Sequence, residues 1–288
     1  MSETRSGPAA EGAQDRTKKF ADLRTRFIWA LVIGNTSLFC VWMGGYWTAA
    51  IGALAAALMM VEWRSITMHR GGTADATVLP YLIAAVGPMI VLSMGYLDLA
   101  WTIIAGGILA GIALDGMQSR LRGGMWSALG ALYIGLAGIS LIALRDFDPF
   151  GFLSILWAGL VVIAADTGGY FAGRMIGGAK LWPSVSPKKT WAGLGGGVIL
   201  AAIVGAIFSG ATTGTYLVQV CTVSMIAAVL AQAGDLAESA LKRHFGVKDA
   251  GTLIPGHGGV LDRMDGHMAA TLVAAAVTFS RDQAVFVW

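Results

Sequence analysis

Four short stretches of this chain combine residue types that can act on phosphate. The richest runs from Lys248-Asp249 through Pro255-Gly256-His257-Gly258-Gly259 to Asp262-Arg263-Met264-Asp265. Glycines let a ligand approach the backbone closely and leave N–H groups for phosphate oxygens. Asp262 and Asp265 stand three residues apart at the entrance to an apolar run, on one face of a helix. Two carboxylates so placed can hold a hard cation such as Mg²⁺. Acids at a helix N-terminus also gain from the helix dipole, which is a purely structural role. Upstream, Asp235, Ser239 and Lys242 follow at i, i+4 and i+7, a stripe of carboxylate, hydroxyl and ammonium. Asp235 comes after a long uncharged run, an expensive place for an idle acid. The stretch Ser186-Pro187-Lys188-Lys189-Thr190-Trp191 joins two ammonium groups to two hydroxyls. Pro187 predicts a helix start, where backbone N–H groups, lysines and hydroxyls can meet an anion together. A basic flank to the next apolar run explains the lysines but not the hydroxyls. Last, Asp166, Tyr170 and Arg174 share a helical face just past Val161-Val162-Ile163-Ala164-Ala165, although an ordinary interfacial helix end would look similar.

The elements that must position these groups are membrane helices. Of 288 residues 56% are apolar and only 13% charged, with a mean hydropathy of +0.68. Soluble domains carry about 25% charged residues, so a water-facing surface is excluded for most of the chain. Forty glycines without a collagen-like period suit closely packed transmembrane helices. The two cysteines, Cys40 and Cys221, lie inside apolar runs and offer neither a disulfide framework nor a zinc site. Nine apolar stretches predict an all-α polytopic bundle of about nine helices, at 27–43, 45–61, 78–94, 97–115, 124–144, 150–165, 191–209, 212–233 and 266–280. The sixth and ninth are short. The first lacks an A-x-A cleavage pattern and reads as a retained helix.

The chain then divides into a flexible tail (1–26), an N-terminal transmembrane region of about five helices (27–144) and a C-terminal catalytic region (145–288). Eighteen of the 20 Lys and Arg residues fall before the first stretch or in even-numbered loops; Arg145 and Arg281 are the exceptions. The positive-inside rule places the N-terminus and the long loops 166–190 and 234–265 in the cytoplasm, and the C-terminus outside. Nearly all the candidate chemistry lies in those two loops. No convincing internal repeat supports an inverted-repeat transporter.

The run from Ser239-Ala240-Leu241-Lys242-Arg243 through Lys248-Asp249 to Leu253-Ile254-Pro255-Gly256-His257-Gly258-Gly259-Val260-Leu261-Asp262-Arg263-Met264-Asp265 resembles the signature of the phosphatidate cytidylyltransferases, or CDP-diacylglycerol synthases. Asp166-Thr167-Gly168-Gly169-Tyr170 and Ser186-Pro187-Lys188-Lys189-Thr190-Trp191 are also similar to that family, while the N-terminal half is similar only in hydropathy. After Lys-Thr-Trp the family commonly has glutamate and glycine; here the residues are Ala192-Gly193.

The resemblance implies a nucleotidyltransferase of phospholipid biosynthesis, in which CTP and phosphatidate give CDP-diacylglycerol and pyrophosphate. It implies Mg²⁺, with a second cation left open, in the inner membrane of a bacterium, with the site facing the cytoplasm and no nucleic-acid partner. The oligomeric state is open, a homodimer included. By matching position, Asp235 and Asp262 are the first expected metal ligands, followed by Asp265 and Asp166. Lys188, Lys189, Lys242, Arg243, Lys248 and Arg263 are the expected phosphate contacts, with Lys242 and Arg263 closest to the chemistry. Ser186, Thr190 and Ser239 are expected hydroxyl donors, and His257, Gly258 and Gly259 a turn around phosphate. A transferase acting on another lipid phosphate, an ion or proton transporter, and a silent scaffold remain as alternatives.

Overall fold

A computed structural model of the chain describes residues 28–68, 76–251 and 258–288. The expected tail (1–26), His257 and Gly256 lie outside the described residues. Among the described residues nine α-helices follow in order: α1 (Ile28–Met43), α2 (Gly45–Thr67), α3 (Val78–Leu92), α4 (Leu97–Met117), α5 (Leu121–Arg145), α6 (Gly151–Met175), α7 (Trp191–Ala211), α8 (Leu217–His244) and α9 (Leu261–Arg281). Six of them, α2 and α4 to α8, are long and apolar enough to cross a bilayer. The protein is an integral membrane protein.

Each expected apolar stretch is a helix, but three helices run well past their apolar limits. α2 continues to Thr67, α6 to Met175 and α8 to His244. Polar residues, and even glycines such as Gly168 and Gly234, do not end a helix where neighbouring helices cover one face. Asp235 therefore lies inside α8 rather than at its end, which corrects the expected loop at 234. The apparent shortness of the sixth stretch has the same origin, since α6 has 25 residues; α3, with 15, is the shorter one.

A second correction concerns residues 186–190. They form strand β2 (Ser186–Thr190), paired antiparallel with β1 (Lys180–Trp182) in the register Lys180 to Thr190 and Trp182 to Ser186. Pro187 sits in this hairpin and starts no helix. Helix α7 begins instead at Trp191, where the Thr190 side chain accepts a hydrogen bond from the Gly193 N–H at 3.0 Å, an N-cap.

Two large cores divide the described bundle, beside a small cluster of Ala100, Ile104 and Ile139. One joins α2, α3 and α5 around Met60, Tyr81 and Ile134. The other joins α6 to α9 around Trp157, Val161 and Ala227, and closes on Phe286, which stacks on Phe208 and meets Phe150 and Trp157 edge-on. Helix α9 packs on both halves: Leu261 and Met268 belong to the first core, Ala270 and Ala274 to the second. Helices α6 and α7 approach backbone to backbone. A Cβ at Gly168 would lie 2.5 Å from the Gly196 carbonyl, and one at Gly197 2.6 Å from that of Ala165, so only glycine permits this crossing. It brings Asp166 beside β2.

One end of the bundle gathers the ends of α2, α4 and α8 with the starts of α3, α5 and α9. There a buried network locks the N-terminal half. Arg64, 5% exposed, donates to both Asp115 oxygens at 3.1 and 2.9 Å and to Ser127 at 3.1 Å, and also reaches Thr77. Tyr81 Oη lies 3.0 Å from Asp115 and 3.1 Å from the Gly124 carbonyl. Asp115 is fully buried, a position that needs such a partner. At the opposite end Arg145 donates to the Val41 and Trp42 carbonyls, at 2.5 and 2.9 Å, and so satisfies the last turn of α1.

Candidate active site

The polar stripe of α8 forms the centre of the site. Ser239 donates to Asp235 Oδ1 at 3.3 Å, one turn away. Lys189, carried by β2, reaches Asp235 Oδ2 at 2.5 Å. From α6, Asp166 accepts from Gln232 Nε2 at 2.9 Å. The hairpin that contradicts the expected helix start thus holds a lysine over the α8 aspartate.

Asp262, in the first turn of α9, ties three segments together. Its Oδ1 takes a hydrogen bond from Lys242 Nζ at 2.5 Å. Its Oδ2 accepts the N–H groups of Ala250 and Gly259, each at 3.1 Å. Lys242 also pairs with Glu238 at 3.2 Å, one turn back on α8. Lys242 therefore bridges Asp262 and Glu238 rather than serving Asp235.

Five carboxylates, from Asp166, Asp235, Glu238, Asp262 and Asp265, line one cleft of about 270 Å³ together with Lys242, Arg263 and His267, over Val162. This brings together helices α6, α8 and α9, as the sequence stripes require. Asp265 Oδ1 accepts the Gly266 N–H at 2.6 Å, and the Asp265 carbonyl accepts from Tyr133 Oη of α5 at 3.4 Å. Lys189 stands at the edge through its pair with Asp235.

Other expected contacts lie elsewhere. Ser186, Lys188, Arg243 and Lys248 do not line the cleft. Lys188, Arg243 and Lys248 are exposed, and Arg243 donates to the Val247 carbonyl at 3.3 Å. The Thr190 hydroxyl caps α7. The Gly259 N–H is taken by Asp262, so in this state it is not offered to a phosphate; Gly258 beside it has φ +88°, a conformation suited to glycine.

Three site residues were not singled out by sequence reasoning. Glu238 lies between Asp235 and Lys242 on the same stripe, and the i, i+4 spacing to Lys242 was its signal. His267 lines the cleft from α9, two residues past Asp265. Glu62 comes from α2 in the other half: its oxygens accept the N–H groups of Val260 at 3.0 Å and Leu261 at 2.8 Å.

All acidic donors in the cleft are oxygens, which suits Mg²⁺ rather than a transition metal. Among the described residues no three His, Cys, Asp or Glu side chains converge tightly enough to form a metal cage. Mg²⁺ does not need one: it commonly takes one or two carboxylates and completes its shell with water and substrate phosphate oxygens. The donor set fits.

The Cytidylyltransferase family model matches residues 24–280. The chain belongs to this family. The match includes the N-terminal half, where the sequence reading found similarity only in hydropathy. A phosphatidate cytidylyltransferase from Brucella suis biovar 1 (strain 1330) is 36% identical over 251 residues, covering 87% of this chain and 91% of that one. One from Bacillus subtilis (strain 168) is 42% identical over 138 residues, 48% of this chain and 51% of that one. One from Staphylococcus saprophyticus subsp. saprophyticus is 44% identical over 147 residues, 50% of this chain and 56% of that one. The family is one of nucleotidyltransferases, so this membrane protein is an enzyme, and the acidic and basic groups that its α6–α8–α9 cleft gathers are of the kind that nucleotide phosphates demand.

Proposed function

We propose that the chain transfers the cytidylyl group of CTP to phosphatidate, giving CDP-diacylglycerol and pyrophosphate. The observation that carries this reading is the cleft itself, five carboxylates and their paired lysines at one end of a membrane helix bundle, in a chain of this family. A phosphate monoester oxygen of the lipid attacks the α-phosphorus of CTP. The bond from that phosphorus to the bridging α–β oxygen breaks, and pyrophosphate leaves with the electron pair. Two polyanions must meet, so neutralisation and alignment dominate the barrier.

In the cleft Lys189 and Lys242 neutralise Asp235 and Asp262. An arriving triphosphate competes for those ammonium groups, which can turn to its oxygens over short distances because lysine stems are flexible. Arg263 stands on the same cleft and offers a planar pair of donors to a phosphate. The carboxylates of Asp235, Asp262, Asp265 and Asp166 would hold Mg²⁺, which would supply charge neutralisation for the phosphates. Ser239 keeps Asp235 oriented. No covalent nucleophile is needed, because the lipid phosphate is already an anion.

The eighteen-to-two partition of Lys and Arg supports a cytoplasmic site, supplied with CTP from the cytosol and with lipid from the bilayer. The test is a lipid panel. Purified protein with CTP and Mg²⁺ should convert phosphatidate and leave an isoprenoid ether lipid phosphate largely untouched. Equal or better use of the ether lipid overturns the choice of acceptor.

A further inference from the structure

Glu62 has no place in the chemistry above, yet it is 3% exposed and its carboxylate has no cationic partner among the described residues. A buried acid survives only where something compensates its charge. Here the compensation is the start of α9: the two oxygens take the Val260 and Leu261 N–H groups, 198 and 199 residues away. Helix α9 has no side-chain cap of its own at Val260, and the first N–H groups of a helix need acceptors. A carboxylate also gains from the dipole there.

The surroundings are cut to fit this group. A Cβ added at Gly251 would lie 2.7 Å from Glu62 Oε1, with its two next neighbours also atoms of Glu62; one at Gly259 would lie 2.8 Å from Oε2. These glycines clear space for a glutamate rather than for a substrate phosphate. The next residue along α9 is Asp262, whose oxygens hold Ala250, Gly259 and Lys242. On the other side, α2 is fixed within its own half by the Arg64–Asp115 pair two residues on.

We propose that Glu62 is a positioning residue: from the N-terminal half it clamps the first turn of α9 and so sets Asp262, and with it Lys242, at the geometry the cleft requires. The inference rests on the cytidylyltransferase reading for its effect on turnover, but its effect on cation binding can be read without substrate. It also gives the N-terminal helices a direct part in the site.

The experiment uses the full-length protein in detergent, as wild type, Glu62→Gln, Glu62→Ala, Gly251→Ala and Glu62→Ala/Gly251→Ala. Glutamine keeps the shape but has one acceptor where two are needed, and loses the charge. Mn²⁺ affinity is measured by its EPR signal without CTP or lipid, alongside the melting temperature and turnover. Loss of a helix cap of this kind corresponds to roughly a 5–30-fold effect. Glu62→Gln should remain folded, bind Mn²⁺ weaker by that factor and turn over slower by at least as much. Gly251→Ala should weaken Mn²⁺ binding in the wild-type background and have little further effect once residue 62 is alanine, because the atoms it strikes are gone. If Glu62→Gln lowers only the melting temperature, with Mn²⁺ affinity and specific activity unchanged, Glu62 is merely structural and the proposal fails. Full additivity of Gly251→Ala with Glu62→Ala fails it equally. A wild type that makes no CDP-lipid defeats the functional reading alone; the Mn²⁺ measurements still decide Glu62.

Discussion

Asp262→Asn and Asp235→Asn separate two aspartates that the sequence treats alike. Asp262 accepts from Lys242 at 2.5 Å and from two backbone N–H groups at 3.1 Å, with side-chain exposures of 14% for Asp262 and 11% for Lys242. Asparagine offers one acceptor oxygen and must turn its amide N–H₂ either toward the lysine or toward the backbone donors. That removes one charge-assisted hydrogen bond, about 1.5–3 kcal/mol, and sets donor against donor. A loss of about 2–3 kcal/mol corresponds to an apparent Tm lower by about 4–12 °C. Asp235 is 34% exposed, so water reaches this carboxylate although Lys189 Nζ itself is buried, and the pair contributes about 1 kcal/mol. Asparagine at 235 can still accept from Ser239. Both variants should lose turnover by about 10²-fold or more, equivalent to roughly 2.7 kcal/mol of transition-state stabilisation, with partial recovery at high Mg²⁺. The assay is tryptophan-fluorescence melting in one detergent, with CDP-lipid formation on the same preparations. Equal melting of the two variants would refute the account of Asp262 as a tie between segments. Near-native turnover of either at limiting Mg²⁺ would remove that residue from the metal site.

Arg64→Ala should cost about 3–5 kcal/mol by stranding the buried Asp115, and Arg64→Ala/Asp115→Ala should recover part of it; equal losses in the melting curves of the two variants would contradict the pairing. In a background without native cysteines, Gln283→Cys should be labelled by an impermeant thiol reagent on intact cells and Lys248→Cys should not, and the reverse pattern overturns the orientation. Ala192→Glu, at the half-buried start of α7, should change turnover less than about threefold; a native protein without turnover that this change revives would support the silent-scaffold alternative.

The helices were legible because apolar length is a local property, and each of the nine stretches folds as one. Their polar ends were not. Apolarity marks where lipid lies, whereas α6 and α8 continue as helices wherever packing covers one face, which is why Asp235 and Lys242 belong to one uninterrupted stripe. The carboxylates of the cleft could be named from spacing on a single helix and from resemblance to the family. Lys189 was named as well, but its partner Asp235 depends on a hairpin whose proline reads equally as a helix start. Glu62 was illegible for a different reason. Its partners lie 198 and 199 residues away, and next to Arg64 it passes for part of a charged flank. Gly259 shows the converse: its type suggested a phosphate cradle, while its N–H and its missing Cβ serve Asp262 and Glu62.

The central claim is that this cleft moves the cytidylyl group, and the fate of the α-phosphorus tests it most directly. Purified protein is given phosphatidate, Mg²⁺ and CTP labelled with ³²P at either the α or the γ position. The account predicts label in the lipid from α-labelled CTP only, pyrophosphate carrying the γ label in equal amount, and loss of both in Asp235→Asn. Lipid labelled from the γ position, or α-label transfer undiminished in Asp235→Asn, would contradict it.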